Sequence, residues 1–154
     1  MCKDHRNYRV IVASLNNVII NTISGEEQLQ HIWDMKINFN NIKKIISYNP
    51  DIILIVSNQP NIGNGKLIKR DFEFMMEYIR RAIMDYTGIY VEYSYCKFQP
   101  GDEFYRLPNP GMTYSLICRS FPGEEIDPNE CLFVGHSDID EKAAKQLKFT
   151  YLNL

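Results

Sequence analysis

The sequence lacks the features that mark a secreted, membrane-spanning or strongly nucleic-acid-binding protein. Its first eight residues carry charges but no apolar signal-peptide core, and no apolar run approaches the roughly 18 residues of a membrane helix. The net charge is only −2, so no strong basic field attracts nucleic acid or an anionic membrane. We therefore expect a non-secreted, cytoplasmic chain without a membrane contact.

Paired cysteine motifs are also missing. The four cysteines are Cys2, Cys96, Cys118 and Cys131, and no C-x2-C unit occurs among them. This spacing predicts reduced, buried thiols in a reducing compartment rather than disulfides. A zinc site built from Cys2, His5 and distant partners is the weaker alternative, because no closely spaced pair anchors it.

The composition is that of a globular domain. Of 154 residues, 45% are hydrophobic and 23% charged, which provides enough apolar surface for one core and predicts a single domain over residues 1–154. Asparagine, isoleucine, lysine and tyrosine are frequent. Such usage is typical of AT-rich genomes, of which phages and parasites are common sources, so a viral or phage origin is one alternative.

Strand-like apolar runs alternate with helical patterns along the chain. Five consecutive aliphatic residues, Ile52 to Val56, indicate a strand that is covered on both faces, as in a parallel sheet. The alternation predicts an α/β fold, a Rossmann-like three-layer sandwich with a mostly parallel sheet. We predict strands at 8–15, 52–56, 89–98, 130–135 and 149–154, and helices at 39–48, 68–86, 112–121 (a strand is the alternative) and 140–147.

In parallel α/β sheets, functional sites lie beyond the carboxyl ends of the strands. The candidate loops therefore follow Ala13, Val56 and Val134, and a fourth precedes Met112. The loop after Val56 contains Gly63 and Gly65 and is predicted to be flexible. Residues 16–25 are predicted to form a loop or a short hairpin.

In that order, the four loops resemble the four motifs of the haloacid dehalogenase superfamily. The similarity is strongest to the small, capless 3′-phosphatase domain of polynucleotide kinase/phosphatases, and it covers about residues 8–154. It rests on VIVASLNNVIINTISG (10–25), IVSNQPNIGNGKL (55–67), YRLPNPGM (105–112) and FVGHSDID (133–140).

Four positions depart from the pattern that the resemblance implies. Where the family has its aspartate nucleophile and its general-acid aspartate, this chain has Ser14 and Asn16. The lysine that steadies the phosphate is replaced by Leu107, and the first magnesium-binding aspartate is replaced by His136. A phosphoryl transfer through an aspartyl intermediate needs these groups, so the resemblance alone does not carry the activity.

Two family positions are retained. Ser57 corresponds to the phosphate-contacting hydroxyl, although a strand-end serine also serves as a local cap. Asp140 corresponds to the second acidic position of the fourth motif, but Asp138 and Asp140 precede a helix and are expected to cap it. Asp140 stays the residual metal candidate, and Arg106 is a candidate substitute for the missing lysine charge.

The sum of the charges lost at the four replaced positions and with the metal favours a metal-free cleft. Replacing three aspartates removes three negative charges, while losing the lysine and a magnesium ion removes three positive ones. The cleft can therefore be neutral without a buried, unpaired charge. We expect no cofactor, and we predict a catalytically inactive phosphatase-like domain, a pseudophosphatase, that acts as a binding, structural or regulatory module.

Two alternatives stay open. The first is an active phosphatase on 3′-phosphorylated nucleic acid or a small phosphate ester. It would use magnesium, or Ser14 with His136 as its base.

The second alternative is a metal-independent binder of a phosphorylated ligand. Its ligand contacts would come from a group of five residues: Ser57, Asn58, Gly63, Gly65 and Arg106. Of macromolecular partners, a protein or a second copy of the chain is expected, and the charge gives no support for nucleic acid. The interaction hypothesis requires an exposed apolar patch.

Overall fold

The computed structural model describes residues 7–154, so Cys2 and His5 of the alternative zinc site lie outside the described residues. The strands are β1 (Val10–Ser14), β2 (Ile20–Asn21), β3 (Lys36–Ile37), β4 (Ile52–Asn58), β5 (Tyr90–Cys96), β6 (Cys131–Gly135) and β7 (Thr150–Asn153). The helices are α1 (Phe39–Ile46), α2 (Pro60–Gly63), α3 (Lys69–Thr87), α4 (Gly111–Ser120) and α5 (Asp138–Leu147).

Five strands form one sheet in the order β5-β4-β1-β6-β7, and every neighbouring pair in it is parallel. The chain runs outward from β1 to β4 and β5, and then returns to the other side of β1 to form β6 and β7. The direction of winding therefore reverses at β1. Ligand crevices of open α/β sheets form at such a reversal, beyond the carboxyl ends of the central strands.

Helices cover both faces of this sheet, which confirms the predicted three-layer α/β architecture. On one face, α1 and α3 pack on Ile11, Ile53 and Leu132. On the other face, α4 and α5 pack on Val10 and Leu54. Because alternate strand residues point to opposite faces, aliphatic runs that are buried on both sides supply both cores.

The longest helix, α3, follows from the spacing of its apolar residues and ends at a glycine. Phe72, Met75, Met76, Ile79 and Ile83 form its buried face, as the 3.6-residue period predicts. The helix ends at Gly88, whose φ of 71° is a left-handed conformation that favours glycine. Among residues 7–154, no helix combines the length and the apolar character needed to cross a membrane.

Several local predictions need correction. Residues 60–63, predicted as flexible loop, form the short helix α2, which begins with a proline at its first position. The strand β2 pairs antiparallel with β3, a partner that the sequence pattern did not indicate. The helix α5 begins at residue 138 rather than 140. Cys96 and Cys131 are buried as predicted, but Cys118 is exposed.

Candidate active site

A cleft of about 110 Å³ lies at the carboxyl ends of β1, β4 and β6, where the winding of the sheet reverses. It collects residues from all four loops that the sequence singled out, and also two residues from the segment that connects β2 and β3. The residues that line it are Ser14, Leu15, Asn16, Asn17, Glu27, Gln28, Val56, Ser57, Asn58, Leu107, His136, Ser137, Ile139 and Asp140.

The wall of the cleft near the end of β1 presents polar atoms that have no hydrogen-bond partner among residues 7–154. Ser14 is only 6% exposed, and its Oγ makes no hydrogen bond within the described residues. The buried Oδ1 of Asn16 and the buried Oε1 of Gln28 also lack partners there. Buried polar atoms normally find a hydrogen-bond partner, so this wall of the cleft is suited to a ligand or water that donates hydrogen bonds.

The end of β4 is tied to the loop before α4. The Asn58 Nδ2 donates to the Leu107 carbonyl oxygen, and the Leu107 N–H donates to Asn58 Oδ1, both at 3.0 Å. The Ser57 Oγ accepts a 2.7 Å hydrogen bond from Gln59 Nε2, and Gln59 is fully buried. Both polar atoms of the Asn58 side chain are therefore engaged in holding Leu107 at the cleft.

The end of β6 forms a helix cap rather than an open ligand loop. Ser137 is the N-cap of α5, and its Oγ accepts a hydrogen bond from the Asp140 N–H. The Asp140 Oδ2 accepts the His136 N–H at 3.0 Å and the Ser137 N–H at 3.4 Å, which completes a capping box. Asp140 therefore helps to cap α5, as expected, although the N-cap residue itself is Ser137. Asp138 lies in the first turn of the helix.

The exposed His136 ring has one nitrogen engaged. Its Nδ1 lies 2.6 Å from the carbonyl oxygen of Leu154. Because that oxygen only accepts, the contact is a hydrogen bond when Nδ1 carries a proton, and in that tautomer Nε2 is the ring nitrogen that can accept.

A buried carboxylate, Asp34, fixes the segment that brings Glu27 and Gln28 to the cleft. Its Oδ1 accepts the Ser24 N–H at 2.7 Å, and its Oδ2 accepts the Ser24 hydroxyl at 2.7 Å and the Gln30 N–H at 3.1 Å. Burial alone raises the pKa of Asp34, but these hydrogen bonds outweigh it and lower the pKa below its ordinary value. Sequence reasoning missed this residue, because its partners lie four and ten positions away in an irregular segment.

The charge around the cleft is negative, which corrects the neutral cleft that the charges of the replaced residues predicted. Glu27 and Asp140 are its carboxylates, and none of its lining residues is lysine or arginine. Within residues 7–154, no group of three or more His, Cys, Asp or Glu side chains is arranged to hold a metal ion.

Three of the predicted ligand contacts are not brought to this cleft. Gly63 packs against the end of β5, where an added Cβ would lie 2.3 Å from the Lys97 carbonyl oxygen. Gly65 follows α2 and is also absent from the cleft lining. The Arg106 guanidinium stacks over the Phe98 ring at 4.1 Å, and its buried Nε has no partner within the described residues.

The parallel sheet, its covering helices and the cleft at the reversal of winding define a doubly wound α/β domain with a site at the carboxyl ends of its strands. The chain belongs to the polynucleotide kinase 3 phosphatase family, whose model matches residues 9–150. The predicted family and fold class are therefore confirmed.

Two solved structures share the fold. One is the D,D-heptose 1,7-bisphosphate phosphatase from B. bronchiseptica, complexed with magnesium and phosphate. It is 17% identical, has a TM-score of 0.73, and the match covers 93% of this chain and 78% of that one. The other is described as a HAD-like phosphatase from Mesorhizobium loti. It is 18% identical, has a TM-score of 0.74, and the coverage is 94% and 70%. No curated protein matches the chain.

Proposed function

We propose that this chain is a non-catalytic member of its family, a pseudophosphatase that acts as a binding, structural or regulatory module. The observation that carries the proposal is the cleft itself. The positions at which the family motif has two aspartates, a lysine and a further aspartate converge there as Ser14, Asn16, Leu107 and His136.

The chemistry of an aspartyl phosphatase needs an ionised carboxylate in line with phosphorus and an acid that protonates the leaving oxygen. Neither Ser14 nor Asn16 is a carboxylic acid. Of the two carboxylates that line the cleft, Glu27 is exposed on the β2–β3 segment. Asp140 is buried, and its Oδ2 accepts two backbone N–H groups. Neither carboxylate lies in the β1 loop, from which the family takes its nucleophile.

The donor set does not fit magnesium. Magnesium is held by one or two carboxylates in octahedral oxygen geometry, together with waters and substrate phosphates. Here Asp140 is engaged at α5, and His136 presents an imidazole where the family has a carboxylate. We therefore expect magnesium to leave the melting temperature of the chain unchanged. A clear upward shift would contradict this expectation, because a ligand that binds the native state stabilises it.

The test of the proposal is phosphate release from a 3′-phosphorylated oligonucleotide and from an aryl phosphate. Wild type is measured beside Ser14→Ala and His136→Ala, with magnesium, with zinc and without metal. We expect equal, background-level release from all three proteins. Release by wild type that both substitutions abolish would refute the proposal.

The second candidate function is an active phosphatase on 3′-phosphorylated nucleic acid or another phosphomonoester. It is favoured by the family membership and by two structural neighbours described as phosphatases, one of them complexed with magnesium and phosphate. In this chain the Ser14 Oγ, which has no partner among the described residues, would attack phosphorus while the bond to the leaving oxygen breaks. His136 would take the serine proton and pass it to the leaving oxygen, and water would then hydrolyse the phosphoserine. Its signature is turnover that falls in both the Ser14→Ala and the His136→Ala variants.

Binding of a phosphorylated ligand without metal has less support from the geometry. A phosphate dianion would meet Glu27 and Asp140 and no cationic side chain in the cleft lining. Such a ligand would need the amides of Gly63 and Gly65 or the guanidinium of Arg106, and none of these lines the cleft. The unpartnered carbonyl-type oxygens of Asn16 and Gln28 favour ligands that donate hydrogen bonds.

A further inference from the structure

Three residues that line the cleft carry a buried side-chain oxygen atom. The atoms are the Ser14 Oγ at the end of β1, the Asn16 Oδ1 in the loop after it, and the Gln28 Oε1 between β2 and β3. None of the three makes a hydrogen bond within residues 7–154. Two of them are amide oxygens, which only accept, so a molecule that satisfies them must donate hydrogen bonds.

Two carboxylates give the same cleft a negative charge. Glu27 is exposed in the segment between β2 and β3, whereas Asp140 is buried in the first turn of α5. The hydrogen bonds that Asp140 accepts from the backbone both use Oδ2, so Oδ1 takes no part in them. No lysine or arginine is among the lining residues, and the cleft therefore attracts cations and repels anions.

The amino-terminal end of α5, which by itself would favour an anion, is already compensated within the chain. The Asp140 carboxylate accepts the N–H groups of His136 and Ser137, and the Ser137 hydroxyl accepts the N–H group of Asp140. The carboxylate also places a negative charge at the positive end of the helix dipole. The attraction of this helix end for an anionic ligand is therefore reduced.

An organic cation suits these groups better than a metal ion does. Within the part of the chain that the structure describes, no group of three or more His, Cys, Asp or Glu side chains is arranged to hold a metal. An organic cation needs no such group, because each of its N–H donors bonds separately to one oxygen atom. A guanidinium group has five such donors in one plane, and an ammonium group has three.

The size of the cleft limits the part of a ligand that enters it. The volume is about 110 Å³. A water molecule takes up roughly 30 Å³ in the liquid, so the cleft holds about three or four groups of that size. A guanidinium or ammonium head group therefore fits, and the rest of a larger ligand would extend into solvent.

From these observations we propose that the cleft binds an organic cation, a guanidinium or primary ammonium head group, rather than a phosphate. Glu27 and Asp140 supply the charge that attracts the head group, and the buried oxygens near β1 accept its N–H groups. The inference rests on the proposed non-catalytic function, because a phosphatase has to admit an anionic phosphate to this same cleft.

The first experiment titrates the isotope-labelled chain with methylguanidinium chloride and follows its backbone amide signals by nuclear magnetic resonance. Sodium chloride at equal ionic strength is the reference. We expect saturable shifts of the Asn16, Gln28 and Ser137 signals with a dissociation constant on the order of 1–10 mM, as for other very small ligands. Inorganic phosphate should give no saturable shift. Saturation by phosphate, or none by methylguanidinium, would overturn the proposal.

The charge requirement is tested by Glu27→Gln, with Glu26→Gln as the matched control. Both glutamates are exposed and adjacent in the chain, and each substitution removes one negative charge, but only Glu27 lines the cleft. We expect Glu27→Gln to raise the dissociation constant of methylguanidinium about threefold and the control to leave it unchanged. Equal effects would overturn the proposal, because binding would then follow the net charge of the chain.

The role of the buried oxygens is tested by Ser14→Ala. The hydroxyl has no partner among the described residues, so its removal should leave the free energy of unfolding unchanged or higher. The same variant should bind methylguanidinium about threefold or more weakly, because it lacks one acceptor. Lower stability with unchanged binding would overturn the placement of the ligand against β1.

Further titrations identify the source of the head group. Tighter binding of a blocked Gly-Arg-Gly or Gly-Lys-Gly peptide than of methylguanidinium or methylammonium supports a side chain of a protein partner. Tighter binding of the free cations supports a small amine. Calcium chloride that shifts the same signals at lower concentration than any of these would overturn the proposal in favour of a metal.

Phosphate release, measured on the same preparation, separates this inference from the proposed function. Turnover by wild type would refute the non-catalytic function on which the inference rests. Absence of both turnover and cation binding would refute the cation site alone. Cation binding without turnover is the result that we expect.

Discussion

The Asp34 carboxylate offers the sharpest test of how the cleft is held. It is 2% exposed and accepts three hydrogen bonds, two from Ser24 and one from Gln30. Hydrogen bonds to a charged group contribute about 1.5–3 kcal/mol each, and their sum is discounted because the segment is near the surface. We therefore expect Asp34→Ala to lower the free energy of unfolding by about 3 kcal/mol.

Asp34→Asn should cost less, about 1–2 kcal/mol. The amide keeps one acceptor for the Ser24 N–H and can donate to the Ser24 hydroxyl, but its nitrogen then faces the Gln30 N–H. For a chain of this size, the Asn and Ala variants should lower the melting temperature by about 3–6 and 6–12 °C. Urea and thermal denaturation at pH 7 measure these differences.

The stabilisation that Asp34 provides should decrease at acidic pH. Because the pKa of Asp34 is lowered in the folded state from its ordinary 3.8, its stabilisation is fully present above that value. It is lost as the pH falls through the folded-state pKa, since the protonated carboxyl then resembles the amide. The difference in unfolding free energy between wild type and Asp34→Asn should therefore become smaller at acidic pH. A difference in unfolding free energy between wild type and Asp34→Asn that is constant with pH, or absent at pH 7, would refute the reasoning.

The control is Asp51→Asn, which removes a carboxylate that is 69% exposed and pairs with Arg9. Exposed ion pairs contribute little to stability, so the unfolding free energy of this variant should match that of wild type within about 0.5 kcal/mol, both at pH 7 and at acidic pH. A loss as large as that of Asp34→Asn would show that the measurement reports overall charge rather than the buried hydrogen bonds.

Three further results are expected. Gly135→Ala places a Cβ 2.4 Å from the Asp140 Cβ, so urea denaturation should show a loss of about 1–3 kcal/mol, and an unchanged midpoint would contradict the packing. Asn58→Ala removes both hydrogen bonds to the loop before α4 and should lower the free energy of unfolding by about 1–3 kcal/mol in the same assay. An unchanged free energy of unfolding would mean that these two hydrogen bonds do not stabilise the loop. In the native chain at pH 8, a thiol reagent should modify the exposed Cys118 but not the buried Cys131. Burial raises the pKa of the Cys131 thiol to about 12, so little reactive thiolate is present at pH 8. Peptide mass mapping identifies the modified cysteine, and early modification of Cys131 would contradict its buried position.

Much of the fold follows from patterns that are local in sequence. The aliphatic run Ile52–Val56 indicates a strand covered on both faces, and the spacing of Phe72, Met75 and Ile79 indicates a helix with one buried face. Once the sheet is parallel, the loops that follow its central strands must meet at one edge. That is why Ser14 and His136 could be assigned to one cleft before any distance was known.

Other features depend on contacts that no local pattern contains. The hydrogen bonds between Asn58 and Leu107 join residues 49 positions apart. The position of Arg106 is set by the nearby Phe98 ring, which draws the guanidinium into a stacking contact.

The most direct test of the central claim is phosphate release by wild type beside a variant in which the four family residues are restored. That variant carries Ser14→Asp, Asn16→Asp, Leu107→Lys and His136→Asp on the same fold. With magnesium and a 3′-phosphorylated oligonucleotide, the account predicts turnover by the restored variant and none by wild type. Turnover by wild type at a rate equal to or above that of the restored variant would contradict it.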